Sequence, residues 1–229
     1  MLRLTFLSHS GFAVETDSKV LVFDYHVDPA HCIASYAKGT KPLWFFVSHW
    51  HQDHFNRHIA DFQDRSVCYI VNKDVRLKGV APEKLKSLAV YDTIQVEDTV
   101  VTQYGSTDEG GSFLVETDGL SVFHAGDLNW WHWLGDTDEN NAEAKDNFDR
   151  EMKHLTGKQF DVAFFPVDAR LEGAREWGVQ GFLDTVNVRK CLVPMHYFGA
   201  PWIPSPTYKK QYGTTKLWIP VKSGDFIDI

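Results

Sequence analysis

The chain reads as an α/β protein, a four-layer αββα sandwich of two sheets with helices outside them. Three observations carry that expectation. Short strand-like runs parted by turn residues open the chain, strands followed by helices occur twice in order, and metal-ligand residue types recur just past runs that read as strands. With 229 residues, 43% of them hydrophobic, the chain can bury a full core, and one domain over residues 1–229 is expected.

Residues 2–7, 11–15 and 19–23 form the opening β-meander, separated by Ser8-His9-Ser10 and Thr16-Asp17-Ser18. Residues 43–47 are a fully apolar fourth strand. Phe55, Ile59 and Phe62 then recur at helical spacing and predict a helix over 55–64. A strand over 67–71, a short helix over 72–78 and strands over 86–91 and 93–96 follow. Residues 99–104, 112–116 and 120–124 are a second run of strands, with Thr117-Asp118-Gly119 as a turn. The polar, charged stretch 138–156 is helical. Strand 160–166, helix 179–186 and strand 190–194 close the reading.

Composition narrows the function classes. A formal charge of −8, with Lys and Arg scattered, argues against a general nucleic-acid binder, which needs a basic face for phosphate. Cys32, Cys68 and Cys191 lack Cys-x-x-Cys spacing and read as reduced thiols of a cytoplasmic protein. The N-terminus enters an alternating strand pattern without signal-peptide features, and no apolar stretch approaches the ~20 residues that span a bilayer. No membrane association is expected, and a homo-oligomer stays open. Gly-x-Ser-x-Gly and phosphate-cradling Gly-x-x-x-x-Gly-Lys motifs are absent.

The run Ser48-His49-Trp50-His51-Gln52-Asp53-His54 directly follows the apolar strand. In extended chain, residues i and i+2 share a side, so His49 and His51 can meet one ion while Trp50 faces away. A turn into helix would swing Asp53 and His54 toward a second ion. Imidazole suits zinc, iron, nickel or manganese, and a carboxylate extends the choice toward harder ions. Three more candidates stand just past strands. Asp127 follows Gly126, which would let backbone approach an ion; His196 follows Met195; Asp168 follows Val167. Taken singly, Asp127 could equally be a turn aspartate, His196 a core histidine and Asp168 a helix cap.

His49-Trp50-His51-Gln52-Asp53-His54, Ala125-Gly126-Asp127 and His196 together resemble, in order, the metal motifs of the metallo-β-lactamase fold superfamily. Leu7-Ser8-His9-Ser10-Gly11-Phe12 and Phe123-His124-Ala125-Gly126-Asp127 are most similar to the branch of ascorbate-6-phosphate lactonase-like and other predicted metal-dependent hydrolases. The resemblance implies one metal at His49 and His51, a second at Asp53, His54 and His196, and Asp127 bridging them. It also implies a further histidine ahead of the Gly-Asp motif, at a strand end. Here the strand 100–104 runs instead into Gly105-Ser106-Thr107-Asp108-Glu109-Gly110. Asp108 or Glu109 could replace that imidazole, water could fill the place, or only the second position could bind. Asp108 is the substitute we expect, and a carboxylate there favours manganese or iron over zinc.

The function this implies is a metal-dependent hydrolase with one or two divalent ions, zinc first among them. A metal-bound hydroxide, oriented by Asp53, would attack a small ester, lactone or phosphoester. A phosphodiesterase or nuclease, and a metal-binding sensor that no longer hydrolyses, are the alternatives. Trp130, Trp131 and Tyr197 are expected to wall the substrate pocket, against the alternative that they pack a helix or a subunit interface. His9, His124 and His132 either reach the pocket or pack. Arg170 and Arg175 either bind an anionic substrate or lie on a solvated loop.

Overall fold

The computed structural model describes residues 2–198 and 200–229. The opening meander is β1 (Arg3–Ser8), β2 (Gly11–Glu15) and β3 (Val20–Phe23), paired antiparallel in sequence order. Helix α1 (Cys32–Tyr36) leads to β4 (Leu43–Val47), β5 (Ser66–Asn72) and β6 (Leu85–Leu88), each parallel to the strand before it. Strands β7 (Thr93–Val96), β8 (Thr99–Tyr104), β9 (Ser112–Thr117) and β10 (Leu120–His124) run antiparallel. Then follow α2 (Asp138–Leu155), β11 (Gln159–Pro166), α3 (Trp177–Thr185), β12 (Asn187–Met195), α4 (Pro206–Tyr212) and β13 (Phe226–Asp228). The first sheet has the order β13-β1-β2-β3-β4-β5-β6 and the second β12-β11-β10-β9-β8-β7.

Strand β4 shows why the apolar runs had to be buried twice over. Trp44 and Phe46 face the second sheet, where Phe46 meets Phe113 edge-on at 5.8 Å between ring centres. Leu43, Phe45 and Val47 face outward, under Ile33, Ile59 and Val75. A strand covered on both faces needs apolar residues at every position rather than at alternate ones. On the far side of the second sheet, Phe148, Met152 and Leu155 of α2 and Val179 and Phe182 of α3 complete the core. Helix α2 is capped by Thr137, whose side chain accepts from the Asn140 N–H, with Asp138 and Glu139 in its first turn and Lys153 and His154 in its last.

The sandwich expectation holds, with local corrections. Residues 55–64 form a tighter 3-10 turn, Arg57–Phe62, because the Asn56 side chain accepts from His58 N–H and only Ile59 is buried. The expected helix over 72–78 is absent: β5 continues to Asn72, whose side chain accepts from Asp74 N–H and turns the chain at once. The strand expected over 86–91 stops at Leu88. At the Thr117-Asp118-Gly119 turn, Asp118 and Gly119 both take positive φ, 50° and 70°, as a two-residue hairpin turn requires. Among the described residues no helix is long and apolar enough to cross a membrane.

Parallel strands put their carboxyl ends at one edge, and this is what collects the functional loops. Phe23 pairs with Phe46, His124 with Phe164, and Pro166 with Met195. The residues just past these pairs are Asp24, Ser48-His49, Asp127, Asp168 and His196. At the opposite end the sheets are tied by Lys19, whose ammonium donates to Asp98 at 2.5 Å, Thr99 at 3.0 Å and Thr117 at 2.7 Å.

Candidate metal centre

Three histidines are oriented by the same device. His54 Nδ1 lies 2.7 Å from Asp24 Oδ2, and His196 Nδ1 lies 3.1 Å from Asp168 Oδ2. A carboxylate only accepts, so each ring carries a proton on Nδ1 and turns its Nε2 the other way. The third case works through a relay. Ser48 donates its backbone N–H at 2.8 Å and its hydroxyl at 2.6 Å to Asp24, so its oxygen is left to accept from His49 Nδ1 at 2.9 Å.

All three Nε2 atoms face Asp127. Oδ2 of Asp127 is 3.5 Å from His49 Nε2, and Oδ1 is 3.0 Å from His54 Nε2 and 3.3 Å from His196 Nε2. Yet His49 Nε2, His54 Nε2 and Asp127 Oδ1 are buried without any hydrogen bond, as is His9 Nε2. Buried polar atoms that face one another and fail to bond are costly, unless a third group stands between them. The donor set fits divalent metal: imidazole nitrogens and carboxylate oxygens, oriented by outer hydrogen bonds to carboxylates.

The donors fall into two groups, in each of which one atom per residue lies within 4.8 Å of the others: His49, His51, Asp108 and Asp127, and His9, Asp53, His54 and His196. Asp108, expected from the loop 105–110, has its Oδ2 3.8 Å from His51 Nδ1. His9, which the sequence left open, stands with its Nε2 3.4 Å from Asp53 Oδ2 and its ring 4.1 Å from that of His196. Asp24 was not singled out at all, although it follows the apolar strand β3 as His49 follows β4. Backbone strain marks the same edge: His9, Asp24 and His196 have φ of 55°, 43° and 58°.

Electrostatics separate the rings. Burial pushes His49 down to about 4, so it stays neutral. Burial opposes charge on His54 too, but Asp127 and Asp24 outweigh it and raise this ring to about 10, so an ion binding at Nε2 would displace a proton. Asp53 is held well below the usual carboxylate range by the His9 ring, against the effect of its own burial. Asp108 is raised, first by burial and then by the charge of Asp127.

Other expectations need correction. Gly126, at φ 55°, does allow a close approach, but to protein: a Cβ there would stand 2.9 Å from the Ser48 Cβ and 3.0 Å from the Gly111 oxygen. Asp168 is both cap and brace, accepting from Arg170 N–H while it holds His196. His124 is a packed residue, its Nε2 donating to the Ser10 carbonyl at 2.8 Å and its Nδ1 accepting from Gly126 N–H. A cavity of about 430 Å³ opens beside the donors, lined by Trp131, Trp133, Arg170, Phe198 and Thr107 with His51, Asp53, Asp108, Asp127 and His196. Trp130 is not part of it: its ring stacks on Phe148 of α2, with the Lys145 ammonium 4.8 Å from its centre. Tyr197 is buried and also stands outside the lining. The alternating directions of neighbouring side chains sent Trp131 and Trp133 to the cavity and Trp130 to the core.

No protein-family model matches the chain. It is 23% identical over 216 residues to a UPF0173 metal-dependent hydrolase of Methanosarcina mazei, covering 86% of this chain and 83% of that protein. Among solved structures it is similar to Igni18, a metallo hydrolase of Ignicoccus hospitalis, with TM-score 0.65 and 14% identity over 99% of this chain and 97% of the other. The metallo-β-lactamase fold protein YhfI of Bacillus subtilis matches 99% of this chain and 98% of its own, with TM-score 0.53 and 12% identity. The chain thus has the metallo-β-lactamase fold. Its homologues are named UPF0173 metal-dependent hydrolases.

Proposed function

We propose that residues 1–229 form one metal-dependent hydrolase domain that cleaves a small ester, lactone or phosphoester. The observation that carries this is the set of buried Nε2 atoms of His49 and His54, which face Asp127 without hydrogen bonds, with His196 Nε2 turned to the same carboxylate. His49, His51, Asp108 and Asp127 would hold one ion, and Asp53, His54, His196 and His9 the other, with Asp127 reaching both. Zinc suits the imidazole-rich second group; two carboxylates draw manganese or iron to the first. When bound, such ions bring the pKa of water toward ~7 and polarise the bond under attack. Asp53, ionised and half-exposed in the cavity, would orient the attacking water through Oδ2, beside His9. Trp131 and Trp133 shield one side of the cavity from solvent. The reduced thiols and small cavity fit a cytoplasmic enzyme acting on small molecules, and a charge of −8 weighs against a nuclease.

Metal analysis of the protein, joined to a hydrolysis screen of lactones, phosphodiesters and β-lactams, tests the reading. One or two ions per chain and turnover of a lactone or ester are expected. A chain that retains no divalent ion at neutral pH would refute it, and metal without turnover in any class would favour the sensor.

A further inference from the structure

Arg170 is the only Lys or Arg among the described residues lining the cavity. Its Nε and Nη2 donate to the wholly buried Asp168 carboxylate at 3.0 Å and 2.6 Å, and that same Oδ2 braces His196. The guanidinium carbon sits over the Phe198 ring, 3.8 Å from its centre, and 5.5 Å from the centre of the Trp133 ring. Asp168 therefore occupies one edge of the fork, while Nη1 has no hydrogen-bond partner among the described residues and the side chain is 46% exposed. Arg175 provides the contrast: its guanidinium is spent on the Val167 and Ala200 carbonyls and takes no part in the cavity.

A guanidinium held over aromatic rings, anchored along one edge and open along the other, is preorganised for a planar or tetrahedral oxyanion. Beside it, Trp131 and Trp133 lie nearly parallel, 6.0 Å between ring centres and 7° between planes, and form an aromatic wall. We propose that Arg170 is the residue that selects the substrate, binding a carboxylate or phosphate group that stands apart from the bond being cleaved. The enzyme then acts on small anionic esters or lactones, with any ring of the substrate against Trp131 and Trp133. This rests on the hydrolase reading above, since it places the anion one residue contact away from His196.

The test uses the metal-loaded full chain and three probes of similar size: benzoate, phenyl phosphate and neutral benzamide. Binding is followed by calorimetry and indole fluorescence, and metal content is measured on every sample. The wild type is expected to bind at least one anionic probe tenfold or more tightly than benzamide. The better of the two anions identifies carboxylate or phosphate as the natural group. Arg170→Met should lose that preference, by roughly tenfold or more, with its metal content intact. Arg170→Lys, which keeps charge without the fork, should fall between. Direct capture of the anions by metal would leave Arg170→Met like the wild type and overturn the proposal. A loss of anion binding that tracks a loss of metal would overturn it too, by making Arg170 only a brace for Asp168. If the wild type holds no metal, the hydrolase reading fails by itself, and the anion preference of wild type over Arg170→Met is read in that sample separately.

Discussion

His54 Nε2 and Asp127 Oδ1 stand 3.0 Å apart in the interior and share no hydrogen bond. Each is aimed past the other at common space, and each is fixed from behind, His54 by Asp24 and the Asp127 loop by its neighbours. Thr107 accepts from Asn129 N–H at 2.9 Å, and Trp131 donates to the Asp127 carbonyl at 3.0 Å. A divalent ion between them would relieve the unpaired atoms, so binding energy and folding energy are linked. Chelation should therefore destabilise the protein. At a free-ion level about 1,000-fold above Kd the ion contributes about 4 kcal/mol, and its removal should lower Tm by roughly 10 °C. An unchanged melting curve after complete metal removal would contradict this.

Asp24 collects Ser48 and His54 in one carboxylate, so a single change reaches two donors. Asp24→Ala should weaken metal binding by about 10–100-fold and cost about 3 kcal/mol or more in stability. Ion titration and denaturant unfolding measure the two effects. Asp24→Asn, which keeps the shape, should retain more of the stability than of the affinity.

Asp108 stands in the loop where the resemblance implies an imidazole. Asp108→Ala should reduce affinity at the His49/His51 position at least ~10-fold while leaving the Asp53/His54/His196 position nearly unchanged. Stepwise ion titration separates the positions. Equal loss at both, or none, would remove Asp108 from the ligand set. Asp108→His should shift preference from manganese or iron toward zinc.

Lys19 predicts the behaviour of the end away from the centre. Its hydrogen bond lowers the Asp98 carboxyl, so that pair stabilises the fold above the ordinary carboxylate range and the contribution disappears as pH falls through the lowered value. Lys19→Ala should cost about 2 kcal/mol at pH 7, and the difference from wild type should shrink as the pH falls below about 4. Unfolding curves at several pH values provide the check, with metal content unchanged at pH 7. A constant difference at every pH would assign the effect to packing against Trp44, which lies 5.3 Å from the ammonium.

Much of the architecture could be read locally. Strands β8 and β10 begin and end where alternation and the Asp118-Gly119 turn place them, and the wholly apolar β4 announced burial on both faces. The helix α2 was legible from its composition. By contrast, β13 has only three residues and exists because it pairs with β1, whose partners lie more than two hundred positions away, as Arg3 with Asp228. No local pattern announces such a strand.

The site divides in the same way. Sequence by itself determined the cluster of His49, His51, Asp53 and His54, because the period of extended chain and the turn after it act over a few residues. It also placed Asp127 and His196 at strand ends, where ligand-type side chains stand out against apolar runs. Only the tertiary structure decided that Asp24 and Asp168 fix the ring tautomers, that His9 joins Asp53, and that Trp131 rather than Trp130 faces the cavity. Those facts depend on strand pairing and on the rotation of side chains about it. Both are set by the packing of two sheets against each other, an interaction between distant residues that no short window of sequence contains.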